Sequence, residues 1–350
     1  MQKFKCVAIG DLLIPASAFD ADIKNQEWVS EYDSFNWNIA DKRDALRNVV
    51  RKMETEGSRA FIPTAEELER VKDAEVLMTH LYTVPSELFE AAPRLRFILS
   101  CRGGLENIDL KAAKEHGVKV IHCPAHNAYA VAEYAIALML VESRNIARAH
   151  RGLMNGVWIE RYPNSAAIPE LRGSTVGLIG FGTIGRLVAE RLKPFGVRLM
   201  VNDPFLPDEI IEKEGCIPAS KEELLRQSDF ISLHGRIGPN DPPIIGAAEL
   251  DMMKPSAYLI NTARAVLVDM DALYDALKSH KIMGAAIDVF RSEPLNDQAP
   301  DYKFLELENV TITNHRGGDT LNSYWKAPEM LSESLCEYLE KGATRFLVRM

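Results

Sequence analysis

The sequence predicts an α/β protein built from two doubly wound parallel sheets. Three observations lead there. The chain has 350 residues, room for two domains at about 150 residues each. Short apolar runs alternate with longer amphipathic segments, the rhythm of strands joined by helical crossovers. That rhythm comes in two blocks, one on each side of a long apolar helical segment.

In the first block, strands are expected at residues 6–9, 75–78, 96–99 and 118–121, with helices at 40–53, 65–71 and 110–116. The longest helix is expected at 128–150, where Val131, Tyr134, Ala135, Leu138, Met139 and Val141 form an apolar face suited to a buried helix joining two domains. Residues 151–172 read as irregular, with Trp158, Tyr162, Pro163 and Pro169; an arm over a partner subunit and a plain surface excursion both fit. In the second block, strands are expected at 175–180, 198–202, 230–234, 258–261, 284–288 and 310–313, with helices at 184–195, 221–226 and 270–280. A last helix at 327–339 must pack against one of the sheets.

Composition narrows the function classes. A chain 47% hydrophobic and 26% charged suits a soluble globular protein with a substantial core. The formal charge of −9 gives nucleic-acid binding no support. Five scattered cysteines without a C-x-x-C pair argue against a disulfide framework or a structural zinc site, and no metal is expected; they suit a reducing cytoplasm. The N-terminal apolar run is too short for a secretion signal, and no run of about 18 apolar residues exists to span a membrane.

The clearest chemistry lies at Gly180-Phe181-Gly182-Thr183-Ile184-Gly185, a G-x-G-x-x-G turn between an apolar strand and a helix. Gly180 permits the tight turn, Gly182 lets backbone approach a pyrophosphate, and Gly185 allows close helix–strand packing. Free N–H groups and the helix dipole then favour the anion. The next strand ends at Asp203, whose carboxylate suits ribose hydroxyls and repels a 2′-phosphate, so NAD is expected rather than NADP.

With these residues in hand, the chain resembles the D-isomer-specific 2-hydroxyacid dehydrogenases over nearly its full length. The matching motifs are the glycine turn with Asp203, Asn261-Thr262-Ala263-Arg264, Asp288 through Pro294, and Asn314-His315. Upstream, Gly103 through Asp109 looks like the substrate loop, and Asn127 through Glu133 like the start of the interdomain helix. The resemblance implies a Rossmann cofactor domain, residues 126–317, inserted into a flavodoxin-like substrate domain, residues 1–125 and 318–350. It implies an active site in the cleft between them and a homodimer formed through the cofactor domain.

Hydride transfer at C2 of a 2-oxo acid needs a proton donor, a clamp for the carboxylate and stabilisation of charge on oxygen. The resemblance assigns these roles to His315 as acid/base, Glu293 as its orienting carboxylate, and Arg264 as the forked partner of the substrate carboxylate. Gly103 and Gly104 would add backbone N–H groups. Thr183, Ile184, Thr262, Ala263, Asp288 and His234 join the glycines and Asp203 as expected cofactor contacts. The sequence departs from the family pattern at Asn314, Ala265, Arg102, Arg316 and Asp319. Arg102 and Arg316 either meet a second polar or anionic group on the substrate, or pair with Glu106 and Asp319 for structural reasons. Only 35 residues follow His315, so no serine-feedback domain is expected. Three functions stay open: a 2-hydroxyacid dehydrogenase, a short phosphoglycerate-type dehydrogenase, and a dinucleotide-sensing interaction protein of the same fold.

Overall fold

The computed structural model describes residues 2–238 and 241–350; for Arg43, Asp44 and Arg47 it describes the backbone alone. The chain forms two compact units. One comprises the residues up to Asn127 together with Thr320–Met350, and the other is Ala128–Asp319. The junctions lie two residues C-terminal of those read from the sequence.

The first unit holds five strands: β1 (Phe4–Gly10), β2 (Val29–Asn36), β3 (Val76–Thr79), β4 (Phe97–Ser100) and β5 (Lys119–His122). All pair in parallel, in the order β2-β1-β3-β4-β5. This is the flavodoxin-like order, with its reversal between β1 and β3. Successive residues of a strand point to opposite faces. Val7 and Ile9 accordingly join Leu77, Ile98 and Val120 in one core. Phe4, Cys6 and Ala8 join Val76, Met78 and Leu99 in the other. The C-terminal helix Ala327–Lys341 closes the second core with Leu331 and Leu335, and Trp28 Nε1 donates to its Ser332 Oγ at 2.9 Å.

The second unit holds β6 (Thr175–Ile179), β7 (Arg198–Asn202), β8 (Ile217–Pro218), β9 (Phe230–Leu233), β10 (Tyr258–Asn261), β11 (Gly284–Ile287) and β12 (Val310–Ile312). They pair in parallel in the order β12-β11-β10-β9-β6-β7-β8. Numbered within the unit, that is the dinucleotide-binding order with a seventh strand appended, and it reverses between β6 and β9. Phe230, Tyr258 and Ile260 face one core, Ile231, Leu233 and Leu259 the other.

Two expectations need correction. The helix expected at 128–150 is broken: one helix runs Ala128–Ser143 and a second Ile146–Met154. Asn145 between them has φ 59°, a left-handed conformation that asparagine tolerates better than most side chains. Buried Arg148 locks the bend, donating to Glu142 Oε1 at 2.7 Å and to the Glu142 carbonyl at 3.1 Å. Because this second helix reaches Met154, the irregular segment starts at Asn155 rather than at Arg151.

Candidate active site

The glycine turn occupies the carboxyl end of β6, beside the reversal of strand order. Its three glycines answer to different constraints. Gly180 has φ 92°, and a Cβ there would lie 2.5 Å from the Gly235 nitrogen. A Cβ on Gly185 would lie 2.3 Å from the Gly180 carbonyl oxygen. The protein's own backbone therefore excludes side chains at both. At Gly182 a Cβ would meet nothing within 4 Å. Nothing inside the chain demands glycine there, and the space above it is what an approaching pyrophosphate needs. Helix Thr183–Leu192 begins at this residue, its N-terminus uncapped by any side chain.

Asp203 directly follows β7. Its Oδ2 accepts the Phe181 N–H at 2.7 Å and its Oδ1 the Phe205 N–H at 3.0 Å. An ionised carboxylate has about four lone-pair sites, so capacity remains for ribose hydroxyls. Two further groups lack partners among the described residues. Both ring nitrogens of His234, just past β9, are buried without a hydrogen bond, and burial pushes its pKa down to about 4. Thr262 Oγ1, just past β10, is likewise buried and unpartnered. Buried polar atoms are rarely left unpaired. Beside an open glycine turn, these orphans fit a polar ligand lying along the strand ends.

Not every expected contact stays open. The Ala263 N–H donates to Asn261 Oδ1 at 3.1 Å, and its carbonyl accepts from Arg264 Nη1 at 2.7 Å. The buried Asp288 carboxylate accepts from Thr313 Oγ1 at 2.6 Å, the Arg316 N–H at 2.9 Å and the Gly317 N–H at 2.8 Å. Asp288 thus braces the loop that carries His315. Arg316 Nη1 bonds the Asp319 carboxylate within the same loop.

His315 Nδ1 donates to Glu293 Oε2 at 2.8 Å, and Glu293 Oε1 accepts the Phe290 N–H at 3.0 Å. The Glu293 hydrogen bond raises the imidazole above its ordinary value; burial opposes the rise, the Glu293 and Asp288 charges add to it, and the Arg264 charge subtracts. Burial pushes the Glu293 carboxyl up, but the hydrogen bonds from His315 and Phe290, with the charges of His315 and Arg264, bring it below its ordinary value. Exposed Arg264 follows β10, its turn held by Asn261 Nδ2 donating to the Arg264 carbonyl at 2.9 Å. Three strand-end loops of one unit so bring an imidazole, its carboxylate and a guanidinium within electrostatic reach of each other.

Comparison with known proteins bears on this arrangement. Residues 136–317 match the family model for the NAD binding domain of the D-isomer specific 2-hydroxyacid dehydrogenases. The chain belongs to this family. The family is NAD-binding, and NAD is the cofactor that the glycine turn, Asp203 and the two orphaned side chains fit. A D-3-phosphoglycerate dehydrogenase of Methanocaldococcus jannaschii is 37% identical over 82% of this chain, which spans only 54% of that protein. A hydroxypyruvate reductase of Thermotoga maritima is 35% identical over 85% of this chain and 95% of its own. A D-isomer specific 2-hydroxyacid dehydrogenase of Lactobacillus delbrueckii, solved with NAD, has a TM-score of 0.78 at 22% identity over 98% of this chain and 100% of its own, a likeness of fold.

The expected substrate loop lies in the first unit, after β4. A Cβ on Gly103 would lie 3.3 Å from Pro124 Cα, and one on Gly104 would lie 2.4 Å from Glu106 Oε2. His122 Nδ1 donates to the Gly103 carbonyl at 3.0 Å. Arg102 Nη2 stands 3.4 Å from Glu106 Oε2. Sequence reading missed three groups in the same unit. Asp11 and His80 form a buried pair, Oδ2 to Nδ1 at 2.9 Å, and His126 Nδ1 donates to the Ser323 carbonyl at 2.9 Å. Asp11 and His80 directly follow β1 and β3, a strand-end position that was the available signal.

Proposed function

We propose that the chain interconverts a 2-oxo acid and its D-2-hydroxy acid. The observation that carries this reading is the bond between His315 and Glu293, with Arg264 beside it. NAD(H), when bound, accepts or supplies the hydride at C2. The Glu293 carboxylate holds the proton on His315 Nδ1, which leaves Nε2 to give a proton to the C2 oxygen in reduction and take it back in oxidation. The Arg264 guanidinium has donors beyond its one bond to Ala263, enough to clamp the substrate carboxylate bidentately. Gly103 and Gly104 are proposed to add backbone N–H groups to that carboxylate. Asp203 would take the ribose hydroxyls.

A cytoplasmic homodimer is part of the proposal. All five cysteines are free. Among the described residues no helix is long and apolar enough to cross a membrane. Met154 and Trp158 are 73% and 79% exposed, in the segment proposed to reach a second copy.

The test is nicotinamide absorbance with a panel of 2-oxo acids and NADH, and of D- and L-2-hydroxy acids with NAD. Turnover of D-hydroxy acids and their 2-oxo counterparts is expected. Cofactor binding without turnover of any acid would overturn the enzymatic reading in favour of a dinucleotide-sensing protein.

A further inference from the structure

The glycine turn of the second unit has no cation of its own. Each phosphate of a dinucleotide's pyrophosphate carries a negative charge, and a helix N-terminus answers with only about half a positive one. Three strand-end loops border the turn: residues 180–182 after β6, 203–207 after β7 and 234–246 after β9. Their sequences hold a single lysine or arginine, Arg236. Arg186, the first cation along helix Thr183–Leu192, is already committed. Its Nε donates to the Phe181 carbonyl at 3.2 Å and its Nη1 to Glu214 Oε1 at 3.1 Å, and its guanidinium lies 5.2 Å from the centre of the Phe181 ring. His234, pushed down to about 4 by burial, is neutral near pH 7.

Backbone contact places Arg236. A Cβ on Gly180 would lie 2.5 Å from the Gly235 nitrogen and 2.7 Å from its Cα, and one on Gly185 would lie 3.7 Å from His234 Cβ. The loop after β9 therefore lies against the glycine turn. Arg236 is its next residue, with its Cα about 3.8 Å from that of Gly235. The side chain is exposed and has no hydrogen-bond or ion-pair partner among the described residues. The one carboxylate of its loop, Asp241, is used elsewhere: Oδ2 accepts the Gly238 N–H at 2.7 Å. A free surface cation is ordinary by itself. This one follows the residue that touches the turn, and the nearer arginine is spent on Glu214.

We infer that Arg236 is the counter-charge of the cofactor's pyrophosphate, an affinity-determining contact that the β9 loop adds to the N–H groups of the glycine turn. The inference rests on NAD as the cofactor and is independent of which acid is reduced. A guanidinium suits the task because its fork of donors matches phosphate oxygens.

The test is calorimetric titration of the wild type, Arg236→Met and Arg236→Lys with NADH and with ADP-ribose, which keeps the pyrophosphate and lacks the nicotinamide, each at low and high salt. Arg236→Met is expected to weaken both ligands by about 10- to 100-fold, the worth of hydrogen bonds to a charged group. Arg236→Lys should recover part of that loss. The wild-type Kd should rise with salt more steeply than that of Arg236→Met, because screening acts on the charge that the variant lacks. Both variants should melt like the wild type, since the side chain has no partner in the protein. Equal Kd values for wild type and Arg236→Met overturn the pairing. So does a lowered Tm in both variants, which would assign the residue to the fold. A loss that lysine does not recover and salt does not change overturns it too, and moves the guanidinium to the face of the adenine ring. A wild type that binds neither ligand overturns the cofactor itself.

Discussion

His315 holds a backbone conformation seldom taken by a histidine, with φ 56°. Such a residue persists only where its surroundings over-determine it. Here Asp288 does so, through Thr313 on one side and the Arg316 and Gly317 N–H groups on the other. Asp288→Asn puts an amide donor opposite those donors. It is expected to lower kcat by more than it weakens NADH binding, measured by fluorescence titration. A pH prediction follows from the neighbouring pair. Reduction needs His315 protonated, so kcat/KM with NADH should fall as pH rises through a pKa above the ordinary 6.5. Oxidation needs it neutral and should rise through the same region. Glu293→Gln removes the main cause of the raised value, so both limbs should move to lower pH, with a loss of about 10²–10⁴-fold. Unmoved limbs would count against the pairing in solution. His315, Glu293 and Arg264 were legible because each lies in a local motif. Asp11 and His80 were not, because the bond that makes them a pair joins positions 69 residues apart.

At the scale of elements, the glycine turn was legible and the bend at Asn145 was not. A turn motif is local, whereas the bend depends on Glu142, which also accepts from Thr311 Oγ1 at 2.5 Å, 169 residues away in the chain. The edge strand β2 was missed for another reason. It pairs only with β1 and keeps its residues partly exposed, so VSEYDSFN offers no apolar run. Ser86–Ala91 and Asp208–Lys213, six residues each and without a capping side chain, were missed because so short a helix shows little period. The turn yields a paired test. Gly185→Ala forces a Cβ against the Gly180 carbonyl and should lower Tm sharply, whereas Gly182→Ala should melt like the wild type and lose affinity for NADH. Loss of stability at Gly182 would mean that the open space has a structural use. The bend yields another. Arg148→Met strands the Glu142 carboxylate, already pushed up by burial, and should destabilise by about 3–5 kcal/mol in urea melts.

At the scale of the whole molecule, the two sheets follow one rule. Each places its polar groups at carboxyl strand ends where the strand order reverses: Asp11 and His80 after β1 and β3, the glycine turn and His234 after β6 and β9. The alternation of strands and helices made both sheets readable, since parallel pairing buries both faces and leaves apolar runs. What the chain does with residues 146–168 is a question of assembly. Ile146, Leu153, Met154, Val157, Trp158 and Ile168 are all exposed there. A soluble monomer seldom leaves so many large apolar side chains exposed in one short segment, and covering them in a second copy would remove each from water at about 25 cal/mol per Å². The proposed homodimer therefore predicts sedimentation at twice the chain mass at micromolar concentration. Trp158→Arg with Met154→Glu should shift the equilibrium to monomer while leaving the far-ultraviolet spectrum unchanged. If the wild type sediments as a monomer, residues 155–172 are a surface excursion, and their exposed tryptophan needs a different occupant.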